Sequence, residues 1–131
     1  MSKTNSLFNT PPVMAIQMSN LVLQELLNRF PNGLSSIDVL SRKKSRAVYD
    51  AISKSPRGFK CPVAPQFRSR MNIVFHGKSV KEEAEFLLEA EKEGMIELKG
   101  FNSVGGLRAS LNFAITFEDI QKLIKLILKK V

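Results

Sequence analysis

A chain of 131 residues with 44% hydrophobic and 24% charged side chains has the size and make-up of one ordinary globular domain with a core, which argues against a disordered protein. No apolar run approaches the roughly 20 residues of a membrane span, and Met1–Ser6 lack the apolar stretch of a secretory signal, so a cytoplasmic protein with no membrane contact is expected. The formal charge of +8 points to anionic partners, while one cysteine and one histidine exclude a disulfide framework and leave almost nothing for a zinc site.

In chain order, the opening residues read as frayed. Thr10 has the chemistry of a helix N-cap, and Pro11 and Pro12 suit a first helical turn, where a missing N–H costs nothing. A helix is expected from about residue 12 to residue 29. Its apolar residues Val13, Ile16, Leu21, Leu23, Leu26, Leu27 and Phe30 are too dense for a narrow stripe, which predicts packing on more than one side. Pro31-Asn32-Gly33 ends it. A second helix over about Ser36–Ser53 turns Ile37, Leu40, Ala47, Val48, Ala51 and Ile52 to one face and the basic cluster Arg42–Arg46 mostly to the other. Cys61, between Lys60 and Pro62, reads as a small packed residue rather than a nucleophile. The later part of Arg68–Phe75 has strand composition.

Ser79 and Glu82 have the form of a capping box opening a third helix, which buries some combination of Ala84, Phe86, Leu87, Leu88 and Ala90 and stops at Gly94. Met95–Leu98 reads as a short strand and Leu107–Ile115 as another. Thr116 caps a last helix whose apolar face is Ile120, Leu123, Ile124, Ile127, Leu128 and Val131. The order of elements predicts an α+β fold: a short, mostly antiparallel sheet with helices packed on one side, preceded by two long helices. The boundary is placed after the second helix, giving segments 1–55 and 56–131.

Two places carry chemistry. The glycine pair Gly105-Gly106 feeds Arg108 into a strand, and a guanidinium delivered by a permissive turn is suited to hold a carboxylate or phosphate; the plain alternative is a tight connection with a solvated arginine. The cluster Arg42–Arg46 raises nucleic acid as a partner, but it has no interleaved aromatic rings to stack on bases, so nucleic acid is not the expected partner.

Four motifs in register then resemble one family. Ser6-Leu-Phe-Asn-Thr-Pro-Pro-Val13, Gly58-Phe-Lys-Cys-Pro-Val63, Arg68-Ser-Arg-Met-Asn-Ile73, and Lys99-Gly100 followed by Ser103-Val-Gly-Gly-Leu-Arg-Ala-Ser-Leu111 are similar to the C-terminal part of phosphoserine aminotransferases, dimeric fold-type I enzymes that use pyridoxal phosphate. The resemblance implies a small C-terminal aminotransferase domain over 56–131. It implies that Asn9 and Thr10 reach the cofactor phosphate of the partner subunit, and that Arg108 holds the substrate α-carboxylate. It also implies a departure: where the family usually carries a His-Arg pair for the substrate's distal phosphate or carboxylate, this chain has Phe101 and Asn102.

The family's Schiff-base lysine and large domain lie upstream of anything in these 131 residues, so the chain alone is expected to be inactive. The expected function is therefore that of the C-terminal portion of a transaminase of serine biosynthesis, handling small anionic substrates such as phosphoserine, glutamate and 2-oxoglutarate. It would work as a homodimer, or as a heterodimer with a full-length aminotransferase subunit. The alternative is a non-enzymatic module that pairs with such a subunit.

Overall fold

The computed structural model describes residues 9–130. The opening residues, expected to fray, the start of the first motif and Val131 lie outside the described residues. The elements are α1 (Val13–Arg29), α2 (Leu34–Lys54), a short 3₁₀ turn (Pro65–Phe67), β1 (Asn72–Phe75), α3 (Val80–Lys92), β2 (Leu107–Ser110) and α4 (Phe117–Leu128). The chain divides into two units, Met1–Ile37 and Asp38–Val131, at a point inside α2. Among the described residues no helix is long and apolar enough to cross a membrane.

The second unit holds the α+β core. β1 and β2 pair antiparallel, with Ile73 opposite Ala109 and Phe75 opposite Leu107. All four are buried on one face, as the period of two in a strand requires. Against that face pack Val48, Ala51 and Ile52 of α2, Phe86 and Ala90 of α3, and Ile120, Leu123, Leu126 and Ile127 of α4. Phe59, Phe75 and Phe86 meet edge to face, with ring centroids 5.0–6.0 Å apart, the arrangement that the aromatic quadrupole favours. Leu126, not Leu128, completes the inner face of α4, and Leu88 of α3 is exposed.

The last two helices start as their sequences require. Thr116 Oγ1 accepts from the Asp119 N–H at 3.1 Å while Asp119 Oδ2 accepts from the Thr116 N–H at 3.0 Å, a complete capping box. Ser79 Oγ accepts from the Glu82 N–H, but the Glu82 carboxylate turns back to the Lys78 N–H instead. Gly94 takes the left-handed conformation just past α3, with φ +76°, as expected of a helix stop.

Several expectations give way, each for a physical reason. Thr10 does not cap α1: the cap position is Pro12, and no side chain caps the helix. Thr10 and Pro11 each precede a proline, whose ring disfavours the helical region for the residue before it, so the helix cannot begin earlier. Nor does α1 pack on several sides; it has no buried residue. Met95–Leu98 is not a strand. Glu97 sits at φ 60°, which breaks the extended run, and pairing there is limited to the Lys99–Leu107 bridge and the Arg108 N–H donating to the Leu98 carbonyl. β2 ends at Ser110 because the Asn112 side chain accepts from the Ala114 N–H, bending the chain into a turn. Lys44, expected with the basic cluster on the outer face, is buried, its Nζ donating to the carbonyls of Asn112 and Ile115.

Candidate functional site

The site grows from a turn that only glycine can close. The Gly100 N–H donates to the Gly106 carbonyl at 2.9 Å, and the Phe101 carbonyl accepts from both the Val104 and Gly105 N–H groups. A Cβ on Gly100 would lie 2.1 Å from the Gly105 oxygen; one on Gly106, at φ +71°, would lie 2.6 Å from the His76 ring. No side chain fits at either position.

This turn sets the register of β2. Leu107 and Ala109 face the core, so Arg108 and Ser110 stand on the other face, with Arg108 opposite Val74. The Arg108 guanidinium carbon lies 4.6 Å from the centroid of the Phe101 ring. Its Nε is buried without a hydrogen-bond partner, and among the described residues no carboxylate pairs with it. Arg108 also lines a cavity of about 490 Å³ whose walls include Met95, Leu98, Ile120, Leu123 and Asp119. The Thr116 hydroxyl, and then the Thr116 N–H, hold the Asp119 carboxyl below the ordinary carboxylate range. The cavity lining therefore combines Arg108, which has no carboxylate partner among the described residues, with an apolar wall and an acid already committed to a helix cap. Such an arrangement can take a carboxylate.

Behind the turn lies a second feature that sequence reasoning missed. Glu83 Oε1 accepts the Gly77 N–H at 3.0 Å and stands 3.5 Å from His76 Nδ1. The pair helps form a cavity of about 620 Å³ together with Lys99, Phe101 and Gly106. The one available signal was the placement of the chain's single histidine where β1 ends and a glutamate where a helix begins.

Asn9 and Thr10 belong to the first unit and are exposed. With no side chain capping α1, its N-terminus stands next to this amide and hydroxyl, a combination suited to an anion. Part of the basic cluster has partners within the protein: Arg42 pairs with Asp38 at 2.8 Å, Lys43 lies 4.6 Å from the Phe117 ring, and Lys44 is buried, while Arg46 is exposed.

No family model matches the chain. It is 41% identical to phosphoserine aminotransferase 2, chloroplastic, of Arabidopsis thaliana, over 93% of this chain and 28% of that protein. It is 43% identical to phosphoserine aminotransferase of Drosophila melanogaster, over 98% of this chain and 36% of that one. The solved phosphoserine aminotransferase from Bacillus circulans subsp. alkalophilus superposes with a TM-score of 0.87 at 42% identity, covering 95% of this chain and 34% of that one. The pyridoxal-phosphate-bound enzyme from Trichomonas vaginalis gives a TM-score of 0.87 at 32% identity. The chain spans about a third of the length of the relatives it matches.

Fold and sequence together make the chain an aminotransferase homologue. Within that class the proteins it resembles are phosphoserine aminotransferases, and it corresponds to the C-terminal part of their length.

Proposed function

We propose that the chain supplies the carboxylate-binding half of a phosphoserine transaminase site, acting with a lysine-bearing large domain from outside these 131 residues. The observation that carries this reading is Arg108: an arginine without an acidic partner among the described residues, delivered by a glycine-locked turn to the wall of a cavity, in a chain homologous to enzymes of that name. Pyridoxal phosphate, when bound, supplies the electron sink through which an amino group passes between an amino acid and a 2-oxo acid.

The residues present fit that cofactor. Asn9 and Thr10 would hold its phosphate, since neither is buried and the Thr10 hydroxyl is not spent on capping α1. Arg108 would bind and orient the α-carboxylate of phosphoserine, glutamate or 2-oxoglutarate through its paired N–H groups. The exposed apolar residues of α1 would meet the large domain, and Asn9 and Thr10 would act across a dimer with a second aminotransferase subunit. The single cysteine fits a reducing compartment, and the reading places the protein in the cytoplasm.

The test is a chimera in which this chain replaces the matching third of the Bacillus circulans enzyme. It is expected to transfer the amino group of phosphoserine to 2-oxoglutarate, and Arg108→Lys is expected to raise KM for 2-oxoglutarate by at least about tenfold. A chimera that binds the cofactor yet moves no amino group would overturn the reading.

A further inference from the structure

Phe101 stands on the exposed tip of the turn, with 66% of its surface open, and its ring meets a charge instead of the core. The Arg108 guanidinium carbon, 4.6 Å from the ring centroid, is well inside the range of cation–π attraction, which reaches about 6 Å. An arginine normally has its plane fixed by the carboxylate it pairs with. Arg108 has no such partner among the described residues, and its buried Nε has no acceptor. The ring is therefore the contact that the head group makes in place of a carboxylate.

The backbone that carries the ring is itself fixed. The Phe101 carbonyl accepts from the N–H groups of Val104 and Gly105, and the ends of the turn close at Gly100 and Gly106, where no Cβ fits. A ring against one face of a guanidinium leaves the in-plane N–H fork for a planar, bidentate acceptor.

We propose that Phe101 is a positioning residue: its ring holds the Arg108 guanidinium in the orientation that takes a substrate carboxylate. This inference rests on the reading of Arg108 as the carboxylate holder. An exposed cation–π contact corresponds to roughly a two- to fivefold change in affinity, and that is the size of effect expected for the ring.

The experiment uses the 131-residue chain labelled with ¹⁵N, in which the Arg108 Nε–H resonance is assigned by its loss in Arg108→Lys. Titration with 2-oxoglutarate is expected to move that resonance. Phe101→Leu should remove the ring-current shift on Nε–H and weaken 2-oxoglutarate two- to fivefold, and Phe101→Trp should restore both. A merely structural role for the ring would not produce recovery by a second aromatic residue.

Binding that is lost in Arg108→Lys but unchanged in Phe101→Leu overturns the inference and leaves the reading of Arg108 intact. Binding that is absent, or equal in the wild type and Arg108→Lys, removes the reading and the inference together.

Discussion

α1 and the core of the second unit contain the same kinds of side chain put to opposite uses. In α1, Val13, Met14, Ile16, Met18, Leu21, Val22, Leu23 and Leu27 are all exposed, by 43–75%, and the helix has no side-chain cap. Around β1 and β2, the inner faces of three helices and two strands close on one another, and Phe75 and Phe86 have no exposure at all. Apolar density thus measures what a helix could bury; what it does bury depends on having a surface to meet. α1 carries more apolar surface than its own chain covers, in a protein whose relatives are about three times as long.

The contrast predicts a graded set of mutational effects on unfolding of the chain by urea. Phe86→Ala removes a fully buried ring from the three-phenylalanine cluster and should cost about 3–5 kcal/mol. A loss below about 1 kcal/mol would mean that the cluster is not the centre of the fold.

Glu89→Ala comes next, at about 1–3 kcal/mol. Its carboxylate accepts from Lys129 Nζ and from Arg57 Nη2, each at 3.0 Å, and the Arg57 side chain is only 1% exposed. Arg57 already has Nε and Nη1 buried without acceptors, with the rings of Phe59 and Phe86 beside it. Losing Glu89 would leave the whole head group without an acceptor. The Lys129 hydrogen bond first, and then that of Arg57, hold the Glu89 carboxyl below its ordinary value of 4.5. The unfolded chain therefore takes up the proton first as pH falls. The stability from this group is complete above about pH 4.5 and drains away as pH drops through the lower folded value. A urea series from pH 7 to pH 3 should show a shallower acid loss in Glu89→Ala than in the wild type.

Thr116→Ala should cost about 1 kcal/mol by breaking the capping box of α4, whereas Thr10→Ala should leave helicity unchanged, since Thr10 caps nothing. Equal losses would erase the distinction between a capped and an uncapped helix. Smallest of all, Leu23→Ala should stay within about 0.5 kcal/mol. If it rivals Phe86→Ala, α1 is packed in solution and the contrast between the two regions fails.

Local signals carried the helices well. The Pro31-Asn32-Gly33 break, the Ser79 and Thr116 caps, the Gly94 stop and the apolar spacing of α4 act within a turn or two of chain, so the sequence displays them directly. What escaped depends on distant partners. Lys44 looks like its basic neighbours, yet its burial is decided by two carbonyls near the start of α4. Met95–Leu98 has strand composition, and one left-handed residue, Glu97, cancels it. The candidate site divides in the same way. The glycines and Arg108 were legible as a turn feeding a cation, whereas the ring over Arg108 and the His76–Glu83 support behind the turn appear only once the chain is folded.

The glycine-locked turn has a consequence for how such a site can change. Its base tolerates no added atom, since a methyl at Gly100 or Gly106 would strike backbone or the His76 ring, and Phe101 is tied to Arg108, while Asn102, Ser103 and Val104 at its tip are all open to solvent. Mutation can therefore redecorate those three positions without disturbing the mount that aims Arg108. Preference for what lies beyond a carboxylate can drift from one descendant to another while the grip on the carboxylate itself stays put.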